Sequence, residues 1–511
     1  MKSISFAEGI ERIIQEFELP VEFKRQTLRE AEHLQQVGLP NEKREDLRQE
    51  TFITIDGETA RDFDDAVFLC RQKDGSYLLK VSIADVSHYV SPGSHLDQEA
   101  YSRGTSVYFP NRCLPMFPEP LSNDLCSLVP NQDRLTMTAE MHFDSEGHLR
   151  KKRFYPSIIH SVARLTYRQV HEILITKSPL LRERFRLVVP MLEEMVELFE
   201  ALRKSRIKRG SLDFDLPEPE IILDMDHESV EQIIKAERYI SHRMIEEFMI
   251  AANEAVASFI TEKKVSTLYR IHEAKNSEKI SALKILLHNL GLALPAQKQL
   301  RPLDLAKVVR AVQGKPYEKL VNTVLLRALG RAVYDSQNRG HFGLASSCYT
   351  HFTSPIRRYP DLVVHRILKS VLKMVPQNDD LAVLHSERHL RSVAEHCSER
   401  ERWGMKSEWA SRDLAGAFFM KDKVGERFMG IIAGVSKAGL YVELLGYFIE
   451  GLVPMRNLKD DYYVFREKQD EIVGRRNKKK YRLGDPVSVR VEKINLEKRW
   501  IDLCLANDGP A

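Results

Sequence analysis

The chain is short of the signals that mark specialised classes of protein. Its six cysteines stand singly, at Cys70, Cys113, Cys126, Cys348, Cys397 and Cys504. None belongs to a CxxC pair, which speaks against both a zinc knuckle and a disulfide framework. No apolar run reaches the roughly eighteen residues of a membrane-crossing helix, so no membrane partner is expected. The opening MKSISFAEGIERII turns amphipathic early and never develops the apolar stretch of a signal peptide. Charge of one sign is missing too: 77 basic residues nearly cancel 73 acidic ones, for a formal net charge of +4. Composition therefore carries no general attraction to nucleic acid, and local patches must supply it. A reducing, cytoplasmic home and a monomer are the default expectations.

What the chain does have is length and pattern. Its 511 residues exceed one ordinary core and imply two to four units. Residues 1–50 read as a charged, helix-prone segment, punctuated by Pro20 and Pro40, that packs on the body. From Phe52 the period becomes that of strands, in FITI, DAVFLC, YLLKVSIADV, TSVYFP and RLTMTAEMHF, with Asp74-Gly75 as a hairpin signal. Helical spacing takes over beyond residue 168. One helical stretch stops at Gly210, a second runs from Glu231 to Phe259, and a long one passes through HSERHLRSVAEHCSERERWGMKSEWASRDL. The fold class expected is α+β. A large mixed domain over 51–420, its β core surrounded by helices, precedes a five-stranded OB-type β-barrel over 421–508.

The barrel reads RFMGIIAGV, GLYVELL, EGLVPM, PVSVRVEKI and RWIDLCL. Between its third and fourth strands lies GRRNKKKYR, with six basic residues from Arg475 to Arg482. From Lys423 to Asp508 the unit holds 17 basic and 13 acidic residues, so its positive charge is concentrated in that one loop. A charge run is commonly a solvated surface. Beside a small barrel, contact with single-stranded nucleic acid is the stronger reading, with Arg475, Arg476, Lys478, Lys479 and Lys480 as candidates.

The densest chemistry sits in TIDGETARDFDDAV, residues 54–67, where Asp56, Asp62, Asp64 and Asp65 crowd between two apolar runs. In an extended strand Asp62 and Asp64 share one face and Phe63 takes the other, so a bend near Asp64-Asp65 is needed to bring the last carboxylate round. Two carboxylates about 4 Å apart repel by about 4 kcal/mol at an effective dielectric near 20. Such a group needs protons or a cation, and hard oxygen donors suit Mg2+ or Mn2+. The residues alone leave this reading level with that of an exposed acidic turn.

DGETARDFDDAV resembles the acidic signature of the ribonuclease II / ribonuclease R family of exoribonucleases. The likeness continues in order through RGTSVYFPNRCLPMFPEPLSNDLCSL, RGSLDFDLPEPEI, HRMIEEFMIAANEAVA, YRIHEAK and HFTSPIRRYPDLVVHR, spanning about residues 50–420. It implies a metal-dependent, processive 3′-to-5′ exoribonuclease that cuts single-stranded RNA to nucleoside 5′-monophosphates. Asp56, Asp62, Asp64 and Asp65 match its metal-holding positions, with Asp65 also catalytic. Tyr108 matches the aromatic against the terminal nucleotide, and Arg357 the arginine at the scissile phosphate, with Arg358 beside it as a second RNA contact. His272, His351 and His365 have no metal-ligand spacing and read as structural or substrate-facing. The short segment before the signature leaves no room for the cold-shock-type barrels of longer members. ERERWGMKSEWASRD, with Trp403 and Trp409, departs from the family pattern and leaves Glu408 without an assigned role. An RNA-binding scaffold that has lost catalysis, or a broader phosphodiesterase, are the alternatives.

Overall fold

The computed structural model describes residues 4–506 apart from 36–42, 213–217, 225, 227, 275–276, 293, 295–299, 316, 375–384 and 470. The centre of RGSLDFDLPEPEI and the last residue of YRIHEAK lie outside the described residues. The architecture is α+β, as the alternation of periods implies.

At the centre is a sheet of Phe52–Asp56, Asp65–Arg71, Tyr77–Ala84, Asp133–Phe143 and the long strand Leu149–Thr166. The long strand closes the order into a ring. Its first part pairs antiparallel with Asp133–Phe143, and its end runs parallel to Phe52–Asp56. Gly75, at φ 81°, makes the turn between the second and third strands, a conformation that asks for glycine. Alternate side chains such as Ile53, Ile55, Leu79, Val81 and Ile83 are fully or nearly fully buried and anchor the largest apolar cluster.

Helices pack around this ring. The stretch ending at Gly210 is broken, with Pro179–Arg184 and Val189–Arg209 separated by a turn. Gly210 caps the second at φ 99°, and a Cβ there would meet Leu303 Cα at 2.6 Å. The expected helix from Glu231 starts later. Val230–Lys235 is a strand paired with Pro219–Leu223, and the helix is Ile240–Glu262. In Val230–Lys235 only Val230 and Ile233 are buried, a short alternation that helical spacing counted over a longer window absorbed.

The apolar residues from 50 to 420 do not form one core. Leu283, Leu287, Leu305, Val321 and Leu325 make a separate cluster among three short helices. A third cluster joins the first helix, Phe6–Glu16, to the end of the long helix Glu387–Met420 and to the C-terminal barrel. Phe6 meets Phe418 edge-on at 5.6 Å, with Ile10 and Ile13 fully buried beside them. These apolar groups all lie on one stripe of a capped helix in an otherwise charged segment.

The barrel is closed by five strands in the order Arg427–Ser436, Gly439–Leu444, Ile449–Pro454, Trp500–Leu505 and Pro486–Asn495. In the chain, between Ile449–Pro454 and Pro486–Asn495, a three-stranded insert, Tyr463–Arg466, Glu471–Gly474 and Lys480–Arg482, carries the basic loop as its last turn. No helix among the described residues is long and apolar enough to cross a membrane.

Candidate active site

The acidic stretch is a strand end, a loop and a strand start. Asp56 closes Phe52–Asp56, and Asp65 opens Asp65–Arg71, opposite Ile83. The loop between is pinned from several sides. Arg164 donates to the carbonyls of Gly57 and Glu58, and Ser127 Oγ accepts from Phe63 N at 3.0 Å while donating to the Arg61 carbonyl. Phe63 turns into the core and leaves Asp62 and Asp64 on the other side. Asp62 and Asp64 thus alternate as a strand would place them, although they lie in irregular backbone, and all four carboxylates line one cleft of roughly 1160 Å³.

Burial and mutual repulsion act together on these groups. Burial, and then the neighbouring Asp62 charge, push Asp56 up to about 6. Burial, and then Asp56, push Asp65 up to about 8. Burial also raises Asp62, and raises Asp64 well above the carboxylate range. Asp64, 5% exposed, has protein partners: Ile356 N donates to Oδ1 at 2.9 Å, and Arg357 Nε stands 3.5 Å from Oδ2. Asp56 Oδ2 is buried with no hydrogen-bond partner.

Among the described residues, no three His, Cys, Asp or Glu side chains already stand in the arrangement of a cation site. The donor set nevertheless fits one. Four hard carboxylates face one cleft, burial holds all four above the ordinary carboxylate range, and one buried oxygen lacks a donor. Asp56, Asp62 and Asp65 are the freer ligands, because Asp64 is engaged by Ile356 and Arg357.

Arg357 reaches the cluster from a segment nearly three hundred residues away in sequence. Its side chain is 44% exposed, and its NH2 donates to Ser354 Oγ at 3.0 Å. The Arg357 carbonyl accepts from Ser106 N and Thr105 Oγ1, and Tyr359 N donates to the Gly104 carbonyl. These bonds lace residues 104–106 to 354–359, so the arginine and the tyrosine hairpin share one frame. Arg358 also lines the cleft but pairs with Asp361 at 2.7 Å, on the first turn of helix Tyr359–Val371. Its charge is spent largely on that helix start.

Tyr108 lies in a hairpin of Val107–Phe109 and Arg112–Leu114, and is 44% exposed at the wall of the cleft. Its N–H donates to Glu408 Oε1 at 3.1 Å. Glu408, left without a role from sequence, therefore holds the backbone of the tyrosine. In the same helix Trp403 packs edge-on against Phe17 at 5.9 Å, and Arg331 lies 4.6 Å over the Trp409 ring.

Sequence reasoning singled out neither Tyr167 nor the polar face of helix Ile240–Glu262. Asp56 pairs in register with Thr166, so Tyr167 follows directly beside the acidic cluster. His242 stacks on Tyr167 at 3.9 Å, and Glu246 and Asn253 line the cleft on the same helical face. Their spacing of four and then seven residues, in a largely apolar helix, was the available signal. His351 bonds Tyr334, His365 bonds the Phe352 carbonyl, and His272 accepts from Gly343 N, which leaves all three structural.

The basic loop is built rather than loose. Asp461 accepts from Arg476 N and Asn477 N, both at 2.7 Å. Arg475 lies 4.6 Å over the Tyr462 ring, and Lys479 5.1 Å over Tyr481. Lys478 Nζ donates to the Arg475 carbonyl, while Lys480 shares Glu471 with Arg466 and Arg482. Arg475, Arg476, Lys478 and Lys479 form the cationic tip.

Comparison with known proteins agrees with this layout. Residues 44–374 match the family described as the RNB domain, and 421–506 the S1 RNA binding domain. The chain is 42% identical over 497 residues to ribonuclease R of Aquifex aeolicus, covering 97% of this chain and 70% of that protein. It is 42% identical over 476 residues to ribonuclease R of Escherichia coli, covering 92% of this chain but 58% of that one. Mycoplasma genitalium RNase R, solved with ribose methylated single-stranded RNA, superposes with a TM-score of 0.92 at 28% identity, covering 98% of this chain and 78% of the other. The two matched domains fall on the ring of strands and on the closed barrel, and with these similarities the chain belongs to the ribonuclease R family.

Proposed function

We propose that this chain is a processive 3′-to-5′ exoribonuclease that hydrolyses single-stranded RNA to nucleoside 5′-monophosphates, with Mg2+ or Mn2+ as its cation. The observation that carries the reading is the convergence of Asp56, Asp62, Asp64 and Asp65 with Arg357 and Tyr108 on one cleft. Family membership supports the chemistry, and the Mycoplasma relative's bound single-stranded RNA supports the substrate.

The cation would be held by Asp56, Asp62, Asp64 and Asp65, and when bound it supplies an activated water and charge compensation at the phosphate. The chain's own groups do the rest. Asp65, held protonated up to about 8 by burial and then by Asp56, would give up its proton as a ligand, and the cation's charge would offset the repulsion between the two carboxylates. Arg357, anchored by Ser354 and Asp64, keeps an exposed guanidinium whose planar fork matches phosphate oxygens. Tyr108 offers a ring face for the terminal base, worth roughly 1–3 kcal/mol without choosing among bases, as an enzyme advancing through any sequence requires. Arg475, Arg476, Lys478 and Lys479 at the barrel's insert add sequence-independent backbone attraction.

The test is digestion of a 5′-labelled single-stranded RNA with Mg2+, with a free and with a blocked 3′ end. Mononucleotide release from the free end alone, lost in Asp65→Asn while RNA binding persists, is the expected result. A fully active Asp65→Asn protein, or equal digestion of the blocked RNA, defeats the reading. Binding with no shortening would make the chain a scaffold.

A further inference from the structure

Beside the acidic cleft, on the flank of helix Ile240–Glu262, lies a second concavity that the mechanism does not use. A wider part of about 580 Å³ and a narrower part of about 240 Å³ share Arg203, Ile207 and Arg243 as lining residues and so form one groove. Arg203, Lys204, Arg238, Arg243 and Arg310 face it, against Glu200 and Glu318. Arg238 pairs outward with Glu246, and cations still outnumber acids among the groove's described lining residues, which suits an anion. Phe199, Ile207 and Ile240 give the wider part an apolar wall. The narrow part ends on Asn322, which is 4% exposed and whose Oδ1 has no hydrogen-bond partner.

These features ask for different things from one ligand. Guanidinium forks suit phosphate, the apolar wall suits a ring, and a buried lone carbonyl oxygen asks for an N–H donor. Inorganic phosphate supplies only the first, and an apolar ligand only the second. A nucleotide supplies all three, and the space matches a small-ligand pocket. We propose that this groove binds a nucleoside 5′-monophosphate, with phosphate among Arg203, Arg243 and their neighbours and the base edge at Asn322. Its link to the active cleft is physical. Arg238 pairs at 2.8 Å with Glu246, which lines the cleft, and Arg243 follows His242, which does the same. As a site for the released product, the groove rests on the exoribonuclease reading; as a nucleotide site it does not.

The experiment is equilibrium dialysis of AMP against the full chain in EDTA, with ribose 5-phosphate as the baseless control. AMP is expected to bind, and ribose 5-phosphate to bind about tenfold more weakly, the effect of one good polar contact. Arg203→Glu, and independently the exposed Lys204→Glu, should each weaken AMP by about tenfold. Asn322→Leu should weaken AMP but not ribose 5-phosphate, and Asp65→Ala should change neither. Thermal melting of each variant shows whether it is folded. No AMP binding overturns the proposal, as does binding lost in Asp65→Ala yet kept in both charge reversals. A short oligoribonucleotide that displaces AMP and binds more tightly through Arg203 and Lys204 makes the groove an RNA tract instead, and overturns it too. Because no hydrolysis is needed, failed AMP binding leaves RNA digestion standing, and failed digestion leaves AMP binding standing.

Discussion

Replacing Asp65 by asparagine should stabilise the metal-free protein while abolishing its activity. The wild-type chain, without cation, holds Asp65 protonated up to about 8 because of burial and then of Asp56. An unfolded chain releases that proton near the ordinary 3.8. A group whose pKa rises on folding helps at low pH and loses that help as pH climbs through its folded value. Stability in EDTA should therefore fall from the ordinary carboxylate range through about 6, where Asp56 titrates, to about 8, where Asp65 does. At pH 7 the Asp65 share is about 4 kcal/mol, from ~1.4 kcal/mol for each pH unit between its unfolded value and the solution. Asparagine carries no charge to suppress and avoids that cost.

Melting curves of both proteins, in EDTA and in Mg2+ from pH 6 to 8.5, read this directly. Asp65→Asn should melt several degrees higher in EDTA with a flatter pH dependence, and Mg2+ should raise the wild type far more than the variant. RNA digestion by the variant should fall by at least about a hundredfold, the scale of losing one charge-stabilising group. A variant that melts no higher in EDTA, with an unchanged pH slope, would refute the claim that burial and the Asp56 charge together hold Asp65 protonated.

Arg357→Lys keeps the charge but not the fork, so kcat should fall by roughly tenfold to a hundredfold with KM little changed, measured on single-stranded RNA. Glu408→Ala strips the acceptor from Tyr108 N and costs about 1–3 kcal/mol. It should loosen the hairpin enough to lengthen the end products on a sequencing gel, with the metal response of melting intact. Lys478→Glu together with Lys479→Glu should weaken RNA binding alike for all sequences and reduce the slope of log affinity against log salt by roughly one per lost phosphate contact, followed by fluorescence anisotropy.

Period and punctuation made the ring of strands, the barrel and the long helix legible, because each buries one face and alternates accordingly. The four aspartates were legible too, since crowding of like charge between apolar runs is local. What stayed hidden was pairing over distance. Nothing near Thr166 reveals that it sits opposite Asp56 and delivers Tyr167 to the cleft. Glu408 looks like any surface residue of a charged helix until Tyr108 is found against it, three hundred positions away. The basic loop shows the converse. Its charge was plain, but Glu471 and Asp461, which tie down its base and backbone, mattered only once the insert folded. Val230–Lys235 was misread because a two-strand ribbon of few residues carries too short an alternation to outweigh the helix that follows.

The long helix Glu387–Met420 explains why the departures around Trp403 and Trp409 need not disturb the site. Along one rod, His396 Nε2 donates to the Tyr101 carbonyl at 2.7 Å, Glu401 takes both arms of Arg270, and Glu408 takes Tyr108 N. Its last turns, Leu414 to Met420, then sink into the apolar cluster of the barrel and the first helix. Trp403 and Trp409 stand on other positions of the rod, where Phe17 and Arg331 receive them. A helix packed this continuously does not flex at single side chains, so the spacing between acidic cleft, tyrosine hairpin and barrel is set by its rise per residue. Substituting a tryptophan on its outer face leaves that spacing alone, whereas a proline near Glu408 would alter it, which is why identity along this helix matters less than its continuity.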